Sequence, residues 1–270
     1  MRIARFTLDQ DPVYGVVQGQ EGDEVIHAIG GDPLYTQIRP TGQTYPIDDV
    51  RLLAPVIPRS KVIGVAGNYV SPGGSGPGAS RSGGNGSSPI WFGKPNTSVC
   101  GPGDPIVLDA RVPAPAYHEA ELAVVISRLA KDVPADQAFK VVFGYTVAND
   151  VGYRYDQADD AVRPDPRGFF GKYRDSFTPL GPWIETDLDP GAGLPVRSWI
   201  DGRQGQDGTT GDMVTGIAEL VATASSVCTL LPGDVILTGT PAGAGPIAAG
   251  DRVTCEVGSL GAITNPVVMR

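Results

Sequence analysis

The sequence predicts a β-rich α+β fold with a minority of helix, and three observations carry that prediction. Glycine (37) and proline (25) are abundant in the 270 residues, which breaks the chain into short segments joined by turns. Apolar residues recur mainly as short runs or in strand-like alternation, and one stretch, 215–230 (TGIAELVATASSVCTL), stands out with helical spacing. Hydrophobic residues at 41% against 19% charged supply an ordinary core, at a length that suits one large domain with a smaller appendage.

In chain order, MRIARFTL, VYGVVQG and EVIHAIG read as a strand meander that closes at RLLAPVIP, within residues 1–58. His27 sits inside VIHAI, where packing accounts for it, and is assigned no role. KVIGVAGNY (61–69) is a buried-strand pattern ending in Gly67, Asn68 and Tyr69. The Gly/Ser-rich stretch after it, whose one charge is Arg81, is expected to be a lid or an unstructured loop. WFGKPN (91–96) resumes order, and GPGDPIVL (101–108) is a turn entering a strand.

AYHEAELAVVISR (116–128) is expected as one strand, and Asp132 as the start of a helix over PADQAFKVV. VFGYTVAND (142–150) has strand character and ends on Asn149 and Asp150, a rigid position open to solvent. A short helix after Asp150 would carry Arg154 and Gln157 on the same face as that carboxylate. GFFGKYRDSFTPLGPWIE (168–185) places Lys172 in a loop among aromatics. VRSWIDGRQGQDGTTGDM (196–213) is a hairpin turning at Asp201-Gly202, and the chain returns to strand–turn–strand with a Gly-rich turn after Thr240.

The formal charge of −9 opposes a phosphate backbone, so nucleic acid is not an expected partner, and a small anionic substrate would need a local cation. Cys100, Cys228 and Cys255 are odd in number and lack C-x-x-C spacing, which fits neither a disulfide framework nor a zinc site and suits a reducing compartment. MRIARFTLDQ lacks the apolar core of a signal peptide and no apolar run approaches membrane-span length. The expectation is a cytoplasmic protein without a membrane partner.

The chemistry concentrates at 118–121. Side chains alternate faces along a strand, so Glu119 and Glu121 point one way while His118 and Ala120 point the other. Two carboxylates so close repel unless a proton or cation lies between them, and oxygen-only ligation suits Mg²⁺, Mn²⁺ or Ca²⁺. The alternative is an edge strand whose acids face water.

Taken together, GNY (67–69), FGKP (92–95), HEAEL (118–122), GYTVANDV (144–151), GK and SFTPLGPWI (171–184), QDGTTGDM (206–213), LLPGDVILTGTPAGAG (230–245) and GDRVTCEVGSLG (250–261) resemble the fumarylacetoacetate hydrolase family over most of 59–268. The resemblance implies that family's mixed β-sandwich roll for a catalytic domain at 59–270, a small N-terminal β domain at 1–58, and a homodimer. It implies a divalent metal, Mg²⁺ or Mn²⁺ with Ca²⁺ as a further candidate, held by Glu119, Glu121 and Asp150. Lys172 matches the family's active-site lysine, and Arg154 and Gln157 fall on catalytic-pocket positions. Tyr69, Gln206 and Thr240 fall where substrate is bound. The implied substrate is a small 2-oxo acid or 1,3-dicarbonyl compound that reacts through an enolate, with the metal as Lewis acid.

One departure shifts the expected reaction. Hydrolytic members of the family place a histidine, often with a glutamate, shortly after NY. Here VSPGGSGPGASRSGGNGSS follows, with neither histidine nor carboxylate, and the chain's two histidines are His27 and His118. Isomerisation, tautomerisation or decarboxylation is therefore expected ahead of C–C hydrolysis. Hydrolysis would need a base elsewhere, such as Lys172 or a hydroxide on the metal, and a noncatalytic protein keeping the fold is the remaining alternative.

Overall fold

The computed structural model describes residues 1–8, 11–20, 22–70, 89–154 and 169–270. The expected lid over 71–88 and Gln157 lie outside them.

The meander consists of β1 (Arg2–Thr7), β2 (Val13–Gln18), β3 (Val25–Ile29), β4 (Pro40–Pro46) and β5 (Arg51–Leu53). Beyond it come β6 (Val62–Ala66), β7 (Ile90–Lys94), β8 (Val99–Cys100), β9 (Ile106–Leu108), β10 (Ala116–Tyr117), β11 (Ala120–Ile126), β12 (Val142–Asn149) and β13 (Gly152–Tyr153). The single helical turn α1 (Phe169–Lys172) precedes β14 (Thr178–Glu185), β15 (Pro195–Ile200) and β16 (Arg203–Thr209). Helix α2 (Ile217–Val227) is followed by β17 (Val235–Leu237), β18 (Pro246–Ile247), β19 (Arg252–Val257) and β20 (Ala262–Met269).

The large sheet runs β4-β3-β2-β1-β14-β12-β11-β17-β6-β7, with β5 on β1 and β8 on β14. The N-terminal meander thus continues the sheet of the rest of the chain, through Arg2↔Glu185 and Ile3↔Ile184. A second sheet, β16-β15-β19-β20-β9, packs against it, and a small third sheet pairs β13-β10-β18.

β11 lies at the centre because AELAVVI is apolar on both faces after its glutamate, and every residue of it is buried. Leu122, Val124 and Ile126 join the core shared with Val196, Val253, Cys255 and Val257 of the second sheet. Ala123 and Val125 pack the other way, with Leu180, Ile184, Val235 and Leu237. Each such large aliphatic contributes about 1.5–3 kcal/mol by leaving water. The helical spacing at 215–230 is realised in α2, which buries Ile217, Leu220, Val221 and Ala224 at i, i+3, i+4 and i+7. Asp201 and Gly202 both take positive φ, 49° and 76°, as a two-residue hairpin turn requires. None of the helices among the described residues is long and apolar enough to cross a membrane.

Four local expectations are corrected. The segment after Asp132 is a 3₁₀ helix over Ala135–Val141, led in by Pro134, and Asp132 itself has φ 52° outside it. The strand expected over 116–128 breaks at 118–119, where the chain passes from the small sheet to the large one, and ends at Ile126. Among the described residues Asp150 is followed by a strand: β13 begins at Gly152 and pairs with β10, so Arg154 comes to the site from a strand end and not from a helix face. Lys172 closes the α1 turn and is not in a loop.

Candidate active site

Ladder register brings the acids together. Ala120 pairs with Asn149 and Glu121 with Ala148, which sets Asp150 opposite Glu119, and directly opposed residues share a face. Glu119, Glu121 and Asp150 are all buried, at 7%, 1% and 0% exposure, and each offers an oxygen within 4.8 Å of the other two. His118 turns to the opposite face, toward the second sheet, as alternation predicts.

Three cations face these three acids. Lys172 Nζ donates to Glu119 Oε2, to Asp150 Oδ2 and to the Asp150 carbonyl, each at 2.8 Å. Arg154 donates to Glu119 Oε1 at 2.7 Å, with its guanidinium 5.1 Å from the Tyr117 ring. The third cation is Lys94, which the sequence alone does not single out. It is fully buried at the end of β7 and donates to Asp150 Oδ1, to the Val151 carbonyl (3.0 Å) and to the Phe177 carbonyl (2.6 Å). The signal was present in FGKP, a lysine closing an apolar strand, but burial and partner are properties of the fold.

Burial would raise Asp150, yet the ammonium groups of Lys172 and Lys94 outweigh it and hold the carboxyl below its ordinary value. Burial likewise would lower Lys172, and Asp150 with Glu119 instead hold its ammonium above the usual range. Lys94, with no exposure, is drawn down to about 8 by burial, against the pull of Asp150. Glu121 is pushed well up, first by burial and then by the charges of Asp150 and Glu119, while Gly239 N–H donates to its Oε2 at 2.7 Å.

Two glycines make room for this arrangement. A Cβ on Gly152 would fall 2.7 Å from Lys172 Cδ and Cε, so glycine there lets the lysine stem pass. Gly239 has φ +93°, and a Cβ on it would come 2.9 Å from Asn68 Cβ. Asn68 clasps the loop behind, donating to the Thr215 and Thr238 carbonyls and accepting from Thr215 N–H.

Tyr69, bridged to Met213, has a buried hydroxyl beside Thr238. Thr240 is half-buried, and its hydroxyl donates to the Ala120 carbonyl at 2.7 Å. Gln206, expected to contact substrate, has no exposed surface. Its amide is taken up by Ala120 N–H, Thr240 Oγ1 and the Pro241 carbonyl, which sets it behind the site. The structure therefore brings together Glu119, Glu121, Asp150, Lys172 and Arg154, with Thr240 against the backbone between the two glutamates.

The residues fit a hard divalent cation. The donor set is three carboxylates and nothing softer. Glu121, buried among like charges, is the group such an ion would keep ionised.

Comparison with known proteins agrees along the whole chain. The profile described as Fumarylacetoacetate (FAA) hydrolase C-terminal matches residues 61–268, and one described as Rv2993c-like, N-terminal, matches 1–55. Protein Rv2993c of Mycobacterium tuberculosis is 40% identical over 100% of this chain and 99% of its own length. The mitochondrial oxaloacetate tautomerase fahd2 of Xenopus laevis is 38% identical over 82% of this chain and 69% of its own. A crystal structure of 5-carboxymethyl-2-hydroxymuconate delta-isomerase from Mycobacterium smegmatis superposes with TM-score 0.84 at 41% identity, covering all of both chains. Maleylpyruvate hydrolase from Sphingobium sp. SYK-6, solved with manganese(II) and pyruvate, superposes with TM-score 0.77 at 31% identity over 100% of this chain and 99% of that one. With the C-terminal profile spanning every acid and lysine of the cluster, this chain belongs to the fumarylacetoacetate hydrolase family.

Proposed function

We propose that the chain is a divalent-metal-dependent enzyme that acts on a small 2-oxo acid or 1,3-dicarbonyl compound through its enolate, as an isomerase, tautomerase or decarboxylase. The observation that carries this reading is the convergence of Glu119, Glu121 and Asp150 with Lys172 Nζ 2.8 Å from two of them. Glu119, Glu121 and Asp150 would hold the ion, Mg²⁺ or Mn²⁺ ahead of Ca²⁺. When bound, the ion supplies Lewis-acid polarisation of the substrate's oxygens. Lys172 and Arg154 supply fixed positive charge for the substrate's carboxylate and for charge that develops on its oxygen, and Lys172 Nζ holds protons against two of the three acids. Gln157 is proposed to join them. Tyr69 orients substrate through its hydroxyl, whereas Thr240, whose hydroxyl is engaged by Ala120 and Gln206, and Gln206 act from behind the site. The protein is further proposed to be a cytoplasmic homodimer, with 1–58 as an accessory β domain.

The test is metal-dependent enol–keto exchange or turnover of oxaloacetate and an acylpyruvate, in wild type and Glu121→Gln. The variant should lose most of the metal-dependent rate, and undiminished turnover would remove the metal mechanism. C–C hydrolysis is the second reading, favoured by the similarity to maleylpyruvate hydrolase. Incorporation of ¹⁸O from water into a carboxylic product would select it, and absence of turnover across a dicarbonyl panel would select a noncatalytic protein.

A further inference from the structure

The face of β11 turned away from the acids carries a closed polar chain inside the sandwich. His118, Ser198 and Gln206 have no exposed surface. His118 Nδ1 lies 3.0 Å from the Gly245 carbonyl oxygen, which can only accept, so Nδ1 carries the proton. On the neutral ring Nε2, 2.7 Å from Ser198 Oγ, then accepts, and the serine hydroxyl donates. Ser198 Oγ in turn accepts from Gln206 N–H at 3.0 Å.

The same logic orients the far end. Gln206 Oε1 accepts from Ala120 N–H at 2.8 Å, and Nε2 donates to the Pro241 carbonyl at 2.8 Å. Nε2 also donates to Thr240 Oγ1 at 2.6 Å, and the threonine hydroxyl donates to the Ala120 carbonyl at 2.7 Å. Backbone atoms at both ends thus set every donor and acceptor role. No tautomer or amide flip remains free.

Ala120 is the residue between the two glutamates. On β11, β17 pairs with Ala123, Val124 and Val125, so this ladder stops short of the acids. Where it stops, the Gln206 and Thr240 side chains hold the N–H and C=O of Ala120. We infer that His118, Ser198 and Gln206 form a positioning relay that, with Thr240, fixes the peptide planes around Ala120 and hence the directions in which Glu119 and Glu121 leave the strand toward the metal. The inference rests on the metal-site reading above. His118 is a positioning residue in this scheme: it touches neither ligand nor substrate and acts through Ser198.

Partners behind metal ligands are worth roughly 10–100-fold in affinity or activity. Mn²⁺ affinity of the full chain, measured by calorimetric titration, should fall roughly tenfold or more in Ser198→Ala and in His118→Asn. At the other end, Thr240→Val should weaken Mn²⁺ comparably, whereas Thr240→Ser keeps both hydrogen bonds and should bind as wild type does. That pair keeps the test decisive should a Ser198 or His118 variant fail to fold. The chain has two histidines, so ¹⁵N spectra of wild type and His27→Gln isolate the His118 ring, expected protonated at Nδ1 and bare at Nε2. An Nε2-protonated ring, or Thr240→Val binding Mn²⁺ as tightly as Thr240→Ser, overturns the relay and leaves the metal reading standing. Failure of wild type to bind Mn²⁺ overturns the metal reading and the relay with it.

Discussion

Replacing Lys94 with methionine separates charge from packing at the centre of the site. Methionine keeps an unbranched apolar stem, so the main loss is the ammonium that faces Asp150, both side chains having no exposure. Removing one partner of a buried ion pair costs about 3–5 kcal/mol, because the other charge stays buried without compensation. Lys172 still donates to Asp150 Oδ2 at 2.8 Å, which offsets part of the loss, so the lower end, about 3 kcal/mol, is expected. For a chain of this size that is a fall in Tm of roughly 6–12 °C. Three acids now face Lys172 and Arg154 alone, so a divalent cation meets a surplus of negative charge that wild type lacks. Mn²⁺ should therefore add more stability to Lys94→Met than to wild type. The assay is urea unfolding followed by circular dichroism, in chelator and in excess Mn²⁺. Metal-free Lys94→Met within about 1 kcal/mol of wild type, the size of an ordinary exposed pair, would refute the reasoning.

Gly152→Ala should push the Lys172 stem aside, because the new Cβ would stand 2.7 Å from Cδ and Cε. A displacement of that kind costs on the order of 100-fold in kcat/KM with Mn²⁺ affinity largely kept, and steady-state kinetics with calorimetry read the two separately. Stability should also fall in alkali: burial, aided by Asp189 and Asp32 respectively, raises Tyr145 and Tyr14 to about 12. An unfolded tyrosine ionises near pH ~10, so the folded state holds protons that the unfolded chain has released. The contribution is thus complete below about pH 10 and is lost as pH rises from there toward 12. Urea midpoints measured across that range should fall less steeply in Tyr145→Phe, and identical slopes would count against it.

Where one local rule sufficed, the sequence was legible. Period-two alternation put Glu119 and Glu121 on one side and His118 on the other, and the 3.6 spacing of Ile217, Leu220, Val221 and Ala224 marked α2. Asp201-Gly202 marked its hairpin through the positive φ that a tight turn needs. Local rules failed after Asp132 and Asp150, where helix-compatible spacing yielded to a 3₁₀ turn and to pairing of β13 with β10. Gln206 illustrates the same limit, since a glutamine that reaches substrate and one that braces a strand look alike in sequence.

By itself, then, the sequence determined the β-rich class, the shared side of the paired glutamates, and the placement of Asp150 at a strand end. These follow from side-chain periodicity and turn chemistry, which act over a few residues. Only the tertiary structure decided that Asp150 lies opposite Glu119, that Lys94, 56 residues away, reaches its Oδ1, and that His118 connects through Ser198 to the peptide between the acids. Those outcomes depend on ladder register and on burial in a low-dielectric interior, where an unpaired charge or polar group is costly enough to dictate its partner.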